Sequence, residues 1–148
     1  MILPDINLLV YAYNTDAPHH DEARGWWEAC LSAGGTVGLA WVVVVGFVRI
    51  MTSRVVLTDP MGPVEAIGHA RSWLERPQTQ ILVPGPRHLE ILTDIMSASG
   101  ASGRLTTDAH LAALAIETQS VLHSNDADFS RFPGLSWKNP LGLSEITS

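Results

Sequence analysis

The stretch that decides the fold is Thr107-Asp108-Ala109-His110-Leu111-Ala112-Ala113-Leu114-Ala115, with a second acidic stretch close behind it, Asn125-Asp126-Ala127-Asp128-Phe129. The first is rich in alanine and leucine and predicts a strong helix over residues 108–118, with Asp108 as a cap or first-turn acid. The short apolar run at residues 120–124 predicts a strand, and Asp126 and Asp128 follow it directly. Acids therefore stand where a helix begins and where a strand ends, positions that do not belong to a core.

A further acid, Asp5, lies in the apolar run over residues 2–13, which predicts a buried strand. Burying an unpaired carboxylate costs several kcal/mol, so Asp5 is expected to bind something, with Asn7 on the same strand face bracing it. In an open parallel sheet, such acids converge in the crevice outside the carboxyl ends of the strands. Clustered carboxylates repel one another and are held together most readily by a divalent cation. A hard cation that keeps some waters is the apparatus of metal-assisted phosphodiester hydrolysis.

The rest of the chain alternates between helices and strands. Helices are predicted over residues 19–31, 42–51, 59–74 and 88–97, and short strands over residues 36–41, 80–84 and 135–137. The segment 42–51 is ambiguous, because its valines favour a strand whereas its apolar spacing also fits a buried helix, which the overall fold requires. The alternation predicts one α/β domain over residues 1–148, with a mainly parallel sheet and right-handed crossovers.

Composition limits the class of protein. The 148 residues are 46% apolar and 16% charged, which predicts a compact domain rather than a disordered chain. The net charge of −6 argues against a general nucleic-acid coat protein and suits a basic protein partner. It does not exclude a nuclease, because a metal would neutralise several acids and a local basic rim can form from Arg49, Arg54, Arg71, Arg76, Arg87 and Arg104.

The sequence also indicates where the protein works. Cys30 is the only cysteine, which excludes a disulfide framework within the chain and fits a reducing compartment. No basic segment precedes the first apolar stretch, so a signal peptide is not expected. The longest apolar run, residues 39–48, is about half as long as a membrane span needs. We therefore expect a cytoplasmic protein that does not contact a membrane.

With these positions laid out, the chain resembles the PIN-domain ribonucleases, and specifically the VapC toxins of type II toxin–antitoxin pairs. The matching pieces occur in the family's order and span most of the chain: Asp5-Ile6-Asn7, Phe47-Val48-Arg49-Ile50-Met51-Thr52, the two acidic stretches quoted above, and Phe132-Pro133-Gly134-Leu135 with Asn139-Pro140-Leu141. The resemblance implies a PIN-like α/β/α sandwich and a small, usually dimeric endoribonuclease that depends on Mg²⁺ or Mn²⁺. It implies structured RNA, such as tRNA or rRNA, as the substrate. It also implies a cognate VapB-type antitoxin whose C-terminal segment occupies the active site.

Four acids are the predicted catalytic residues: Asp5, Asp108, Asp126 and Asp128. Three of them, Asp5, Asp108 and Asp126, are predicted to hold the metal, while Asp128 binds it directly or through a neighbour. Each also has a purely structural interpretation, as a helix cap for Asp108 or an Asx-type turn for Asp126 and Asp128.

Three further residues are predicted to support the acids. Asn7 and Ser124 would hold ligand carboxylates or metal-bound water, or else bind the local backbone. Arg49 would contact a phosphate or clamp a carboxylate, or else form a structural ion pair.

The sequence departs from the family's pattern at one position. The PIN pattern usually has a glutamate just before the Phe-x-Arg stretch, and here that position holds Gly46. Glycine offers no side chain to a metal, so a single-metal or substrate-completed site is expected unless Glu22, Glu90 or Glu117 substitutes.

Two other functions stay open at this point. One is a PIN-like protein that binds RNA or its antitoxin but cuts RNA weakly or not at all, because Gly46 replaces the usual glutamate. The other, a phosphatase-like hydrolase with Asp5 as nucleophile, is disfavoured because no second acid stands two residues on and no glycine-rich phosphate loop follows a strand.

Overall fold

A five-stranded sheet forms the centre of the molecule in the computed structural model, which describes residues 1–142. The strand order is β3-β2-β1-β4-β5 and all four pairings are parallel. The predicted α/β/α sandwich is thus confirmed, with a sheet that is wholly rather than mainly parallel. The strands are short: β1 Ile2–Pro4, β2 Val37–Ala40, β3 Thr79–Leu82, β4 Val121–His123 and β5 Trp137–Lys138.

In the described part of the chain, six α-helices connect the strands: α1 Ile6–Tyr13, α2 His20–Ser32, α3 Trp41–Met51, α4 Pro63–Leu74, α5 His88–Ser99 and α6 Thr106–Glu117. The ambiguous segment 42–51 is helical, as the spacing of its apolar residues indicated. Helix α4 begins later than predicted, because Gly62 occupies the N-cap and Pro63 the first helical position, where its fixed φ and missing N–H are tolerated. No helix among residues 1–142 is both long and apolar enough to cross a bilayer.

The predicted strand over residues 2–13 is wrong. The strand stops at Pro4, and the side chain of Asp5 then caps α1 by accepting a 2.7 Å hydrogen bond from the backbone N–H of Ile6. Much of α1 is buried, so its sequence is almost uniformly apolar and lacks the 3.6-residue alternation that distinguishes a helix from a buried strand.

The register of the central strands sets the position of the site. β1 pairs with β4 so that Pro4 lies opposite His123, and the backbone N–H of Asp5 donates to the His123 carbonyl at 2.9 Å. Asp5 and Ser124, the residues that follow the two strands, therefore emerge side by side at the carboxyl edge of the sheet. This is the crevice in which open α/β sheets place their functional groups.

Candidate active site

Asp5 is held by both of its carboxylate oxygens. One accepts the capping bond from Ile6, and the other, Oδ2, accepts a 2.7 Å hydrogen bond from the hydroxyl of Ser124. The residue is only 8% exposed. Burial raises the pKa of Asp5 above its ordinary value, while the bonds from Ser124 and Ile6 oppose that rise. The carboxylate is thus buried but fixed in orientation.

Ser124 joins the parts of the site. Its fully buried hydroxyl donates to Asp5 and accepts from the Asn7 side-chain amide at 3.3 Å and from the Asp126 backbone N–H at 3.0 Å. Asn7 is on the first turn of α1 and not on a strand, so its predicted bracing of Asp5 along a strand face is wrong. The side-chain oxygen of Asn7, Oδ1, instead accepts from the backbone N–H of Asn125 at 3.4 Å. Asn7 and Ser124 therefore tie the start of α1 to the loop after β4.

Asp126 and Asp128 have different surroundings. The Asp126 side chain caps the short 3-10 helix Ala127–Arg131 and accepts from the Asp128 backbone N–H at 2.9 Å, which is the Asx-type geometry expected as the structural alternative. The Asp128 carboxylate accepts a 3.2 Å hydrogen bond from the Arg131 guanidinium, and this ion pair is partly exposed. Although the two acids are only two residues apart, Asp126 stabilises a turn whereas Asp128 forms an ion pair with Arg131.

Asp108 brings the fourth carboxylate to the same place. It is not the cap of α6, since Leu105 occupies that position without a side-chain cap, but it does lie in the first turn, where a helix favours an acid. Burial raises the pKa of Asp108 to about 6, with the nearby charges of Asp5, Asp126 and Asp128 adding to the rise and Arg104 opposing it. The four predicted acids, hereafter the acid cluster, therefore share one electrostatic environment although they come from three parts of the chain.

The acid cluster fits a hard divalent cation. All of its ligand atoms are carboxylate oxygens, which such a cation prefers. The negative charges of these carboxylates repel one another, and a bound divalent cation would neutralise them. Within residues 1–142, however, no group of three or more His, Cys, Asp or Glu side chains is arranged to hold a metal ion. The described acids therefore do not form a closed cage, and a cation bound among them would have to keep part of its hydration or complete its coordination with substrate.

The space above Gly46 is filled by Ile6. Gly46 is buried on α3, and a Cβ atom there would stand 2.5 Å from Cδ1 and 3.0 Å from Cγ1 of Ile6. An isoleucine next to Asp5 in the chain thus occupies the room that a side chain at position 46 would need. The carboxylates considered as substitutes are engaged elsewhere: Glu22 with the Gly142 N–H, Glu117 with the N–H groups of Gly85 and Arg87, and Glu90 with the Arg87 guanidinium.

Two cations act on the acid cluster in the structure, Arg104 and Arg131. Arg49 is exposed on α3 and forms no ion pair within the described part of the chain. Arg104, expected only in a general basic rim, acts on Asp108, and Arg131 pairs with Asp128. Nothing in the sequence singles out Arg104, whereas the i, i+3 spacing of Asp128 and Arg131 at the end of the acidic stretch is a signal that sequence reasoning missed.

Comparisons with known proteins agree on one family. The family sequence model described as PIN domain matches residues 2–135 of this chain. Ribonuclease VapC33 of Mycobacterium tuberculosis is 43% identical over 141 residues, which cover 95% of this chain and 99% of the relative. Among solved structures, VapBC2 of Rickettsia felis, bound to a promoter DNA fragment, matches with a TM-score of 0.68 at 19% identity, covering 94% of this chain and 98% of that one. VapC20 of M. tuberculosis, a toxin that cleaves the sarcin–ricin loop, matches with a TM-score of 0.64 at 15% identity, covering 92% and 99%.

Proposed function

This chain belongs to the PIN-domain family and, within it, to the VapC-type ribonuclease toxins, and from that premise we propose that it is a Mg²⁺-dependent endoribonuclease, with Mn²⁺ able to substitute. Its substrate would be structured RNA, tRNA or rRNA, and the reaction the hydrolysis of a phosphodiester bond. Because tRNA and rRNA are found in the cytoplasm, we expect the protein to act there.

The acid cluster carries this proposal. The raised pKa of Asp108 reflects burial and three neighbouring carboxylates, a concentration of negative charge that Arg104 and the Arg131–Asp128 ion pair offset only in part. Negative charge assembled at the carboxyl edge of a parallel sheet is suited to recruiting a divalent cation. A purely structural role would leave that repulsion unexplained.

The residues divide the work as follows. Asp5 and Asp126, with Asp108, would hold the cation, and Ser124 and Asn7 would keep the Asp5 carboxylate and the loop after β4 in place. Bound there, the cation would activate a water and stabilise the charge that develops on the phosphate. Asp128 would act next to the metal ligands, because its carboxylate is shared with Arg131.

Cations around the cluster would attract the RNA backbone. Arg104 and Arg131 lie close enough to act on its acids, and their guanidinium groups match the geometry of phosphate oxygens. Arg49, exposed on α3, is a further candidate for a phosphate contact.

The test is incubation of the purified protein, free of any antitoxin, with total cellular RNA in Mg²⁺, in Mn²⁺ and in EDTA. Asp5→Asn is the control. Discrete fragments that need both the metal and Asp5 support the proposal. The alternative, a PIN-like RNA- or antitoxin-binding protein with weak or no nuclease activity, is favoured by one observation, the filling of the space at Gly46 by Ile6. It predicts intact RNA, weak metal binding and little effect of Asp5→Asn.

A VapB-type antitoxin is the expected protein partner. The net charge of −6 favours a basic segment, and the acid cluster offers such a segment a site that its Lys or Arg side chains can enter. Inhibition of cleavage by the cognate antitoxin, relieved by raised salt, would support this partner.

A homodimer is also expected. Trp41 and Val45 are exposed one turn apart on α3, and Val83, also exposed, follows β3 next to them, since Ala40 pairs with Leu82. This apolar surface is suited to a copy of itself. Light scattering should give the mass of a dimer for the wild type and of a monomer for Trp41→Glu.

A further inference from the structure

A largely apolar pocket adjoins the acid cluster. It has a volume of about 350 Å³ and lies between α1, the end of α3 and the segment that follows α3. Its apolar walls are the side chains of Ile6, Val10, Tyr11, Ile50 and Val56, and Asp5 and Asn7 provide its polar part. We refer to it as the Val56 pocket.

One apolar wall of the Val56 pocket, that of Ile6, is connected with the departure at Gly46. Because position 46 has no side chain, Ile6 packs over it and presents an aliphatic wall beside Asp5. Where the family's pattern usually supplies another acid, this chain therefore has the aliphatic side chain of Ile6, which also lines the pocket. Such walls do not attract a second cation, whereas an uncharged planar group would bury its faces against them.

We propose that the Val56 pocket binds a nucleobase of the RNA, that of a nucleotide adjoining the phosphodiester to be cut; this inference rests on the proposed ribonuclease function. Asp5 belongs both to the acid cluster and to the pocket, so the bound base and the reacting phosphate must be neighbours along the strand. Tyr11, whose ring centre lies 5.9 Å from that of His19, is the aromatic side chain of the pocket on which the base would stack.

The size of the pocket favours a base over a peptide. A volume of about 350 Å³ is at the lower end of small-molecule pockets, which suits one base and is short for a peptide helix or an extended segment. A base must be unpaired to lay its face against these walls, so the pocket would direct the enzyme to loops or bulges of a structured RNA. The base it prefers would then be a determinant of the cleavage site.

Binding can be tested without turnover. The full-length protein, with its valine and isoleucine methyl groups labelled for NMR, is titrated with AMP, GMP, CMP and UMP, and with ribose 5-phosphate as the control. We expect the Val56 and Ile50 methyl signals to shift with at least one nucleotide and not with ribose 5-phosphate. Equal shifts with the control, or no shifts with any nucleotide, would overturn the inference whether or not the protein cleaves RNA.

Cleavage provides the second test, with a matched pair of variants. Val56 is 59% exposed and lines the pocket, whereas its neighbour Val55 is 97% exposed and does not. Val56→Trp should fill the cavity, lower kcat/KM on a hairpin RNA with a randomised loop by about tenfold and change the order of preferred loop bases. Val55→Trp adds the same bulk outside the pocket, so it should leave both kcat/KM and the order of preferred loop bases unchanged.

The outcomes separate this inference from the proposed function. Metal-dependent cleavage with the same base preference in wild type, Val55→Trp and Val56→Trp would overturn the base pocket and leave the ribonuclease standing. Nucleotide-induced methyl shifts together with no cleavage by the wild type would uphold the binding of a base in the pocket, but would overturn the nuclease and with it the placement of that base next to a phosphodiester to be cut. If Val56→Trp weakens only the binding of the cognate antitoxin, the pocket belongs to that protein and the inference is wrong.

Discussion

Ser124 Oγ donates a 2.7 Å hydrogen bond to Asp5 Oδ2, although 119 positions of sequence separate the two residues. This bond connects the end of β4 to the start of α1 and fixes the orientation of a buried carboxylate. The same hydroxyl accepts from Asn7 and from the backbone of Asp126, so its removal would disturb several groups together.

Ser124→Ala should lower both stability and activity. Loss of a buried hydrogen bond to a charged group costs about 1.5–3 kcal/mol in the free energy of unfolding, to be measured in urea. Since the Ser124 bond lowers the pKa of Asp5, its loss should move the acidic limb of the kcat/KM profile to higher pH. Ser120→Ala is the matched control, because Ser120 is also buried but bonds to Thr118. An unchanged pH profile in Ser124→Ala would contradict this role.

Asp108→Asn should change how stability depends on pH in EDTA. The pKa of Asp108 rises from 3.8 to about 6 on folding, so between these values the folded protein keeps a proton that the unfolded chain releases. The free energy of unfolding therefore falls as pH rises through this range, and the variant lacks that fall. Burial lowers the pKa of His123 to about 4, which has the opposite sign and makes stability rise between about 4 and 6.5.

In Asp108→Asn the contribution of Asp108 is gone and that of His123 remains. The free energy of unfolding should therefore rise with pH more steeply in the variant than in the wild type. Urea unfolding at several pH values between about 4 and 7 measures the slopes. Mg²⁺ should raise the melting temperature of the wild type more at about pH 7 than at about pH 5, since it binds the ionised cluster. Equal slopes in the two proteins would show that Asp108 is not perturbed by its neighbours.

Asp126→Asn and Asp128→Asn should differ in activity. Asp126 is the expected metal ligand and Asp128 is already paired with Arg131. We expect kcat to fall by about 100-fold or more for Asp126→Asn and by about tenfold for Asp128→Asn. Cleavage of a labelled hairpin RNA at saturating Mg²⁺ measures the difference, and equal losses would assign both acids the same role.

Arg131→Ala should impair RNA binding more than it affects folding. The Asp128–Arg131 pair is half-exposed, so its loss should change the free energy of unfolding by no more than about 0.5–1 kcal/mol. If Arg131 contacts a phosphate, KM should rise in Arg131→Ala. The slope of the logarithm of the RNA-binding constant against the logarithm of the salt concentration should also become shallower by about one. Arg24→Ala is the control, because it removes a comparable helix-surface ion pair, with Glu28. The same salt slope in both variants would exclude a phosphate contact by Arg131.

Gly46→Glu should not restore a second carboxylate unless Ile6 is also reduced. The single variant forces a side chain against Ile6 Cδ1, and overpacking of this kind costs about 1–3 kcal/mol. In Ile6→Ala/Gly46→Glu the space is free, so the double variant should be more stable than the sum of the single changes predicts and should bind Mn²⁺ more tightly. Additive effects in a urea-based double-mutant cycle would mean that the two side chains do not compete.

Much of the architecture follows from local sequence. The alanine-rich stretch of α6 and the apolar runs of β4 and β2 have the lengths and neighbours that identify them, and turn residues separate them. Helix α1 was beyond such reasoning, because a helix buried on most sides loses its polar face and reads like a strand. Its start depends on the cap that Asp5 forms, and a single acid in an apolar run does not identify itself as a cap.

The sequence by itself determined the fold class, the identity of the four acids and the absence of a side chain at Gly46, because these depend on residue type and on spacing along the chain. Only the tertiary structure decided what the acids do to one another and what fills the space at position 46. The parallel pairing of β1 with β4 brings Asp5 to Ser124, and the approach of α1 to α3 places Ile6 over Gly46. Hydrogen bonds, mutual repulsion and steric filling act over a few ångströms in space, and distance along the chain does not reveal them.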